Sequence, residues 1–133
     1  MTLDISRVEM RDCRLLDISI NTPTEINNEP GEVEIQLKTD YNVMNRDGNE
    51  VTVRFALGIE PTKGVYYTAS LATLAAFVFP EGVDDEDIDG YLRSFAFMRM
   101  YDWSRAVLEN ASTTCILGSV RIPPNPPDIK QKA

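Results

Sequence analysis

Val33-Glu34-Ile35-Gln36-Leu37-Lys38-Thr39-Asp40-Tyr41-Asn42-Val43 alternates between apolar or β-branched side chains and polar ones without a break. Successive side chains of a strand point to opposite faces, so this run predicts a long β-strand with one buried and one wet face. The turn signal Asn45-Arg46-Asp47-Gly48-Asn49 follows, with Gly48 available for a positive φ. A second alternating run then places Val51, Val53, Phe55, Leu57 and Ile59 inward, and Glu50, Thr52 and Arg54 outward. Pro61-Thr62-Lys63-Gly64 reads as another turn, and a third strand opens at Val65 and continues towards Phe79, ending at Pro80-Glu81-Gly82. Together these runs predict an antiparallel three-strand meander.

Upstream, Val8 and Met10, then Leu16, Ile18 and Ile20, fit the same alternation if a bulge falls near Arg11–Arg14, which makes this stretch the first strand of the sheet. The polar, proline-containing stretch from Asn21-Thr22-Pro23 to Glu29-Pro30-Gly31 is too long for a tight hairpin and reads as a crossover. Downstream the period changes. Glu81, Asp84, Asp85, Glu86, Asp87 and Asp89 crowd the start of a helical region, where the macrodipole tolerates negative charge. From Phe95 to Cys115 the residues Phe97, Met100, Tyr101, Ser104, Val107, Leu108, Ala111 and Cys115 form one mostly apolar helical stripe. Ile122-Pro123-Pro124-Asn125-Pro126-Pro127 can be neither helix nor central strand, because proline donates no backbone hydrogen bond, and it is expected as an extended arm. The expected class is α+β: a four-stranded antiparallel sheet with a long C-terminal helix on one face. Residues 1–133 are read as one domain, with 119–133 as its extended, proline-rich tail.

Composition narrows the chemistry. The chain has no histidine, which removes the usual general base, the Ser-His and Cys-His pairs and the commonest metal ligand. With 13 Lys+Arg against 21 Asp+Glu, the formal net charge is −8, and phosphate-driven nucleic-acid binding is not expected. The N-terminal residues Met1–Arg7 contain no apolar signal core, and the apolar run Leu74–Phe79 is far shorter than the roughly 20 residues of a membrane span. A cytoplasmic chain without membrane insertion is expected. Cys13 and Cys115 have no C-x-x-C context and are read as free, buried or half-buried thiols.

Other clusters read as structural. The acidic group at Glu81–Asp89 lacks EF-hand spacing and reads as a solvated helix start. Arg7, Arg11 and Arg14 read as surface ion-pairing partners for the excess carboxylates. The glycines are scattered singly, so no phosphate-cradling loop is present. No catalytic residue, metal site or cofactor is expected, and the chain is read as a non-enzyme. A surplus of aromatic residues remains: Tyr66, Tyr67, Phe77, Phe79, Phe95, Phe97, Tyr101 and Trp103. One sheet with one helix covers only part of its apolar area, so these residues serve either as core or as a face for a partner.

The order of elements resembles the SecB export-chaperone family. Tyr101-Asp102-Trp103-Ser104-Arg105-Ala106 is similar to the family's F-P-Y-A-R-E helix segment, and Ser119-Val120-Arg121-Ile122-Pro123-Pro124 to its Q-L-N-L-A-P. Asp17-Ile18-Ser19-Ile20-Asn21-Thr22-Pro23 resembles its first strand running into the crossover. The likeness runs over residues 5–129, with Arg105 and Pro124 as its sharpest matches. Asp102, Cys115 and Gly118 depart from the family's proline, glycine and proline at those places. The chain is expected to lack the second helix that acts as a lid in SecB proper.

The resemblance implies an ATP-independent chaperone or binding module that holds unfolded or unassembled polypeptide on an apolar groove. Ile26, Tyr66, Phe77, Phe79, Val120 and Ile122 are the expected client-binding residues. Leu16, Ile18, Ile20, Trp103 and Leu108 are the expected contacts of a homo-oligomer, dimer or tetramer. A dedicated accessory protein on the same fold, associated with a toxin–antitoxin pair or a mobile element and serving one specific partner, is the alternative. A hydrolase or isomerase built on carboxylates alone would need two converging Asp/Glu side chains.

Overall fold

The structure is a computed structural model that describes residues 3–23, 33–115 and 120–124. After a short 3-10 turn at Ile5–Arg7, the chain forms β1 (Glu9–Asn21), β2 (Glu34–Asp47), β3 (Glu50–Lys63) and β4 (Thr68–Val78). A helical rod follows: α1 (Asp85–Tyr91), one π-helical turn (Leu92–Ala96) and α2 (Phe97–Ala111). The four strands make one antiparallel sheet in the order β1-β4-β3-β2. β1 and β2 are therefore the two edges, and the chain must cross from one to the other between Asn21 and Glu34. Most of that crossover, and the tail beyond Pro124, lies outside the described residues.

β3 alternates as its sequence predicts, with Val51, Val53, Phe55, Leu57 and Ile59 all buried. Their β4 partners on the same face are Phe77, Ala75, Thr73, Leu71 and Ala69, and α2 lies over this surface. Phe55 sits at its centre, edge-to-face with Phe97 (5.4 Å) and Tyr101 (6.4 Å). Such pairs contribute beyond the area they bury. The two buried hydroxyls at the interface do not go unpaired: Thr73 donates to the Phe55 carbonyl (3.3 Å) and stands 3.5 Å from the Ser104 oxygen. The opposite face is polar at its margins and small at its centre, where Ala56, Gly58, Ser70 and Ala72 floor a shallow trough between Asp17 on one side and Lys38, Asp40 and Arg54 on the other. Its ion pairs, Lys38–Glu60 (3.2 Å) and Arg54–Asp40 (3.7 Å), are well solvated and contribute at most about 1 kcal/mol each.

The edge strands depart from strict alternation. β1 shifts register between Arg11 and Arg14, with Asp12 at φ 51°, and again between Leu15 and Asp17. The bulge expected near Arg11–Arg14 is therefore present, and a second one follows it. β2 shifts between Val43 and Asn45. Val43, expected to face inward, is exposed there together with Met44, because the extra residue turns the end of this edge strand away from the helix.

Between β2 and β3 the loop is only Gly48-Asn49. Gly48 has φ 62° at the first loop position, where a type II′ hairpin favours glycine. A side chain there meets nothing within 4 Å, so the cost of adding one is conformational. Gly48→Ala is expected to destabilise by about 1 kcal/mol, lowering Tm by about 3–5 °C, read by thermal unfolding at constant pH.

Two sequence boundaries move. β3 continues through Lys63, so the second turn falls at Gly64-Val65, and Tyr66-Tyr67 precede β4. The helical rod begins at Asp85 and ends at Ala111; Ala111 is exposed and Cys115 lies in the turn beyond, so the stripe stops at Leu108. Upstream, the buried positions Ile88, Tyr91 and Leu92 are separated from Phe97 by a five-residue step. In an α-helix that step rotates the stripe by about 140° off the sheet, at 3.6 residues per turn. One π-helical turn takes up the extra residue and keeps both halves facing the core. The Ser94 hydroxyl donates to the Gly90 carbonyl (2.8 Å) at the entry to this wider turn.

Candidate functional site

Val120 and Ile122 lie at one end of the rod, where the chain returns along α2. Their side chains are 0% and 4% exposed, while Arg121 between them and Pro123 beyond are exposed, the alternation of an extended segment. No described strand pairs with this segment. Instead the N–H of Val120 donates to the Ser112 hydroxyl oxygen (2.7 Å), that of Arg121 to the Tyr66 phenol (3.2 Å), and that of Ile122 to the Glu109 carboxylate (3.1 Å). The Tyr101 hydroxyl donates to the Pro123 carbonyl (2.7 Å). Ser112 also donates to the Glu109 carbonyl (3.0 Å), so it works as donor and acceptor together. Burial pushes the Tyr101 pKa up, which keeps the phenol protonated as a donor. Burying Val120 and Ile122 contributes roughly 1.5–3 kcal/mol each.

Tyr66, Val120 and Ile122 are thus brought together. Phe77 and Phe79 are not with them. They sit at the far end of β4, on the order of 30 Å along the strand, under Tyr91 (6.0 and 5.4 Å between ring centres). Arg99 lies over the Phe77 ring at 5.7 Å and donates to the Tyr91 phenol (3.2 Å). Of the residues expected to share one groove, Phe77, Phe79, Val120 and Ile122 are buried among the described residues. Only Tyr66, half-buried, reaches solvent. Ile26 lies outside the described residues.

The expected oligomer contacts also divide. Leu16 is 52% exposed on edge strand β1, Ile18 and Ile20 are half-buried beside the core, and Trp103 is half-buried on α2. Leu108 is fully buried on the apolar stripe of α2.

The apolar residues left open were only partly legible from the sequence: Ile5, Leu15, Val43, Met44 and Phe95 join Leu16. Phe95 packs at a tilt against Tyr91 (5.5 Å between ring centres) and, with Ile5, Val8 and Met98, lines a cavity of about 510 Å³ rimmed by Arg99 and Asp102. Among the described residues, no group of three or more His, Cys, Asp or Glu side chains converges to hold a metal ion.

No family model matches the sequence, and no curated protein matches it. A solved structure does. The fold superimposes on the Mycobacterium tuberculosis Rv1957 SecB-like chaperone, solved in complex with a ChAD peptide from the Rv1956 HigA1 antitoxin, with TM-score 0.65. The match covers 92% of this chain and 90% of that one at 18% sequence identity. The fold is SecB-like. A protein of unknown function from Streptococcus agalactiae also superimposes, with TM-score 0.47 and 9% identity over 87% of this chain and 96% of that one.

Among the described residues both edges of the SecB-like sheet are unpaired, and apolar exposure concentrates there, at Leu15 and Leu16 on β1 and at Val43 and Met44 on β2. Among the described residues, no helix is long and apolar enough to cross a membrane. Cys13 and Cys115 are both free and half-buried. Desolvation pushes the Cys13 thiol up to about 11, from an ordinary value of 9.0. In a Cys115→Ser background, alkylation of Cys13 by iodoacetamide at pH 8 is expected to run about 100-fold below that of a free thiol, because the thiolate fraction falls by that factor. The folded state holds this proton more tightly than the unfolded one. Its contribution to stability is therefore complete below about pH 9 and is lost as the pH rises towards about 11.

Proposed function

We propose that this protein is an ATP-independent, SecB-like binding module that holds unfolded or unassembled polypeptide, without catalytic chemistry and without a cofactor. The observation that carries this reading is the likeness, over nine-tenths of both chains, to a chaperone solved with a peptide bound. The open edges support it: an edge strand offers unsatisfied backbone donors and acceptors to an extended chain, and flanking apolar side chains supply non-directional affinity. A net charge of −8 favours basic clients and opposes nucleic acid. We place its work in the cytoplasm. We propose further that copies associate as dimers or tetramers through β1, with Leu16, Ile18 and Ile20 at the contact and Trp103 on the helix as a second one.

The neighbour's bound antitoxin peptide also favours a second reading, in which the same surface serves one specific partner. Light scattering of a chemically unfolded test protein, diluted with and without this protein and without nucleotide, separates the two. A general holding function suppresses aggregation of several unrelated clients at up to equimolar amounts. Suppression of none of them, with capture of one folded or nascent partner, assigns the dedicated role.

A further inference from the structure

Three consecutive N–H groups, those of Val120, Arg121 and Ile122, are all received by side chains: Ser112 and Glu109 of the helix end, and Tyr66 ahead of β4. The chain runs back along the helix as it does so, meeting Ser112, then Glu109, then Tyr101. Two side chains, two residues apart, enter the core, while the one between them faces solvent. Such a channel reads the backbone of an extended segment, asks only for aliphatic side chains at two alternate positions, and is indifferent to the residue between them. Pro123 and Pro124 follow at once, so the segment cannot grow into a ladder that would tie it to the sheet.

We propose, resting on the polypeptide-binding reading above, that Val120–Pro123 is the chain's own occupant of a polypeptide channel between α2 and Tyr66, and that an extended partner segment of the same chemistry takes its place. The partner segment carries Val, Ile or Leu at two positions two apart, with a backbone N–H at both, since proline at either would forfeit the hydrogen bond to the Ser112 hydroxyl or to the Glu109 carboxylate. The arm leaves by local opening, and it competes as a tethered ligand at high effective concentration.

The probe is a fluorescein-labelled peptide, Ser-Val-Arg-Ile-Pro-Pro, followed by anisotropy with the full chain and with its Val120→Ser/Ile122→Ser variant, whose own arm is weakened but whose channel is intact. The variant is expected to bind the peptide about tenfold or more tightly than the unaltered chain, and a peptide with serine at both aliphatic positions is expected not to bind. Equal or absent binding by a folded variant overturns the proposal. Amide exchange on the unaltered chain covers the case in which the variant does not fold. The Val120 and Ile122 amides are expected to exchange faster than those of Val53 and Phe55, and faster still with saturating peptide. Exchange only together with the β3 amides overturns the proposal. A chain that suppresses aggregation of unfolded clients while its arm stays fixed contradicts this inference alone; a chain that binds the peptide yet protects no client contradicts the holding function alone.

Discussion

Phe55→Ala is expected to lower the free energy of unfolding by about 3–5 kcal/mol, the range for removing a fully buried ring from a close-packed core. Phe55 is 0% exposed, at the middle of β3, and touches both Phe97 and Tyr101 at edge-to-face distances. Its carbonyl receives the Thr73 hydroxyl, whose oxygen stands 3.5 Å from that of Ser104 on α2, so sheet and helix meet here through packing and through this pair of buried hydroxyls. A domain of this size has on the order of 5–15 kcal/mol in hand, and this one change is expected to leave it near the edge of folding at 37 °C. Urea unfolding followed by far-UV circular dichroism reads the effect as a lower midpoint at similar slope. A change below about 1 kcal/mol would mean that the helix does not lie on β3 as described.

Leu108→Ala is expected to cost about 2–5 kcal/mol of protomer stability, with no change in association beyond what unfolding itself causes. Leu16→Ala is expected to do the reverse. Exposed on an edge strand, it alters stability by less than about 0.5 kcal/mol, and it weakens the proposed contact between copies. Unfolding midpoints and sedimentation velocity on the two variants distinguish the assignments. If Leu108→Ala dissociated an oligomer at unchanged protomer stability, its burial under the sheet would be wrong.

The central meander was legible because β3 alternates cleanly and β2 alternates as far as Tyr41. β3 alternates over its whole inward set, and its register with β4 follows from that alternation. The single helix on one face was also legible, although its first half was not. Ile88, Tyr91 and Leu92 are out of phase with Phe97 for an α-helix, and only a π turn brings them onto one face. The edges misled for a related reason. Leu15-Leu16 and Val43-Met44 are apolar doublets that break an alternating run, and both fall at register shifts. A doublet of this kind signals an extra residue in an edge strand, and the structure exposes all four side chains.

The site was less legible than the fold. Aromatic richness picked out Tyr66, Phe77 and Phe79 without distinguishing a ring that fills the core from a ring that waits for a partner. That distinction depends on what the helix covers. Tyr91 caps Phe77 and Phe79, whereas Tyr66 keeps its phenol at the surface, where it receives the Arg121 N–H. The arm was expected as an extended segment because of its prolines. Its anchoring through Ser112, Glu109 and Tyr101 left no trace in any local pattern, since the groups that hold it are spread over a helix it meets only in three dimensions.

The proposed function and the displaced-arm proposal give the chain two different ways to meet an extended ligand: backbone pairing along β1 or β2, and replacement of its own segment beside α2. Under both proposals the ligand is unfolded or extended, so a fully folded globular protein is expected to be a poor one. The measurement that tests this most directly is fluorescence anisotropy of two unrelated, permanently unfolded labelled polypeptides titrated with the protein in the absence of nucleotide, each challenged with the unlabelled other. Saturable binding of both, with mutual competition, is the expected result. No binding of either by the folded protein, at concentrations up to tens of micromolar (about 6–7 kcal/mol of affinity), would contradict a general polypeptide-holding function.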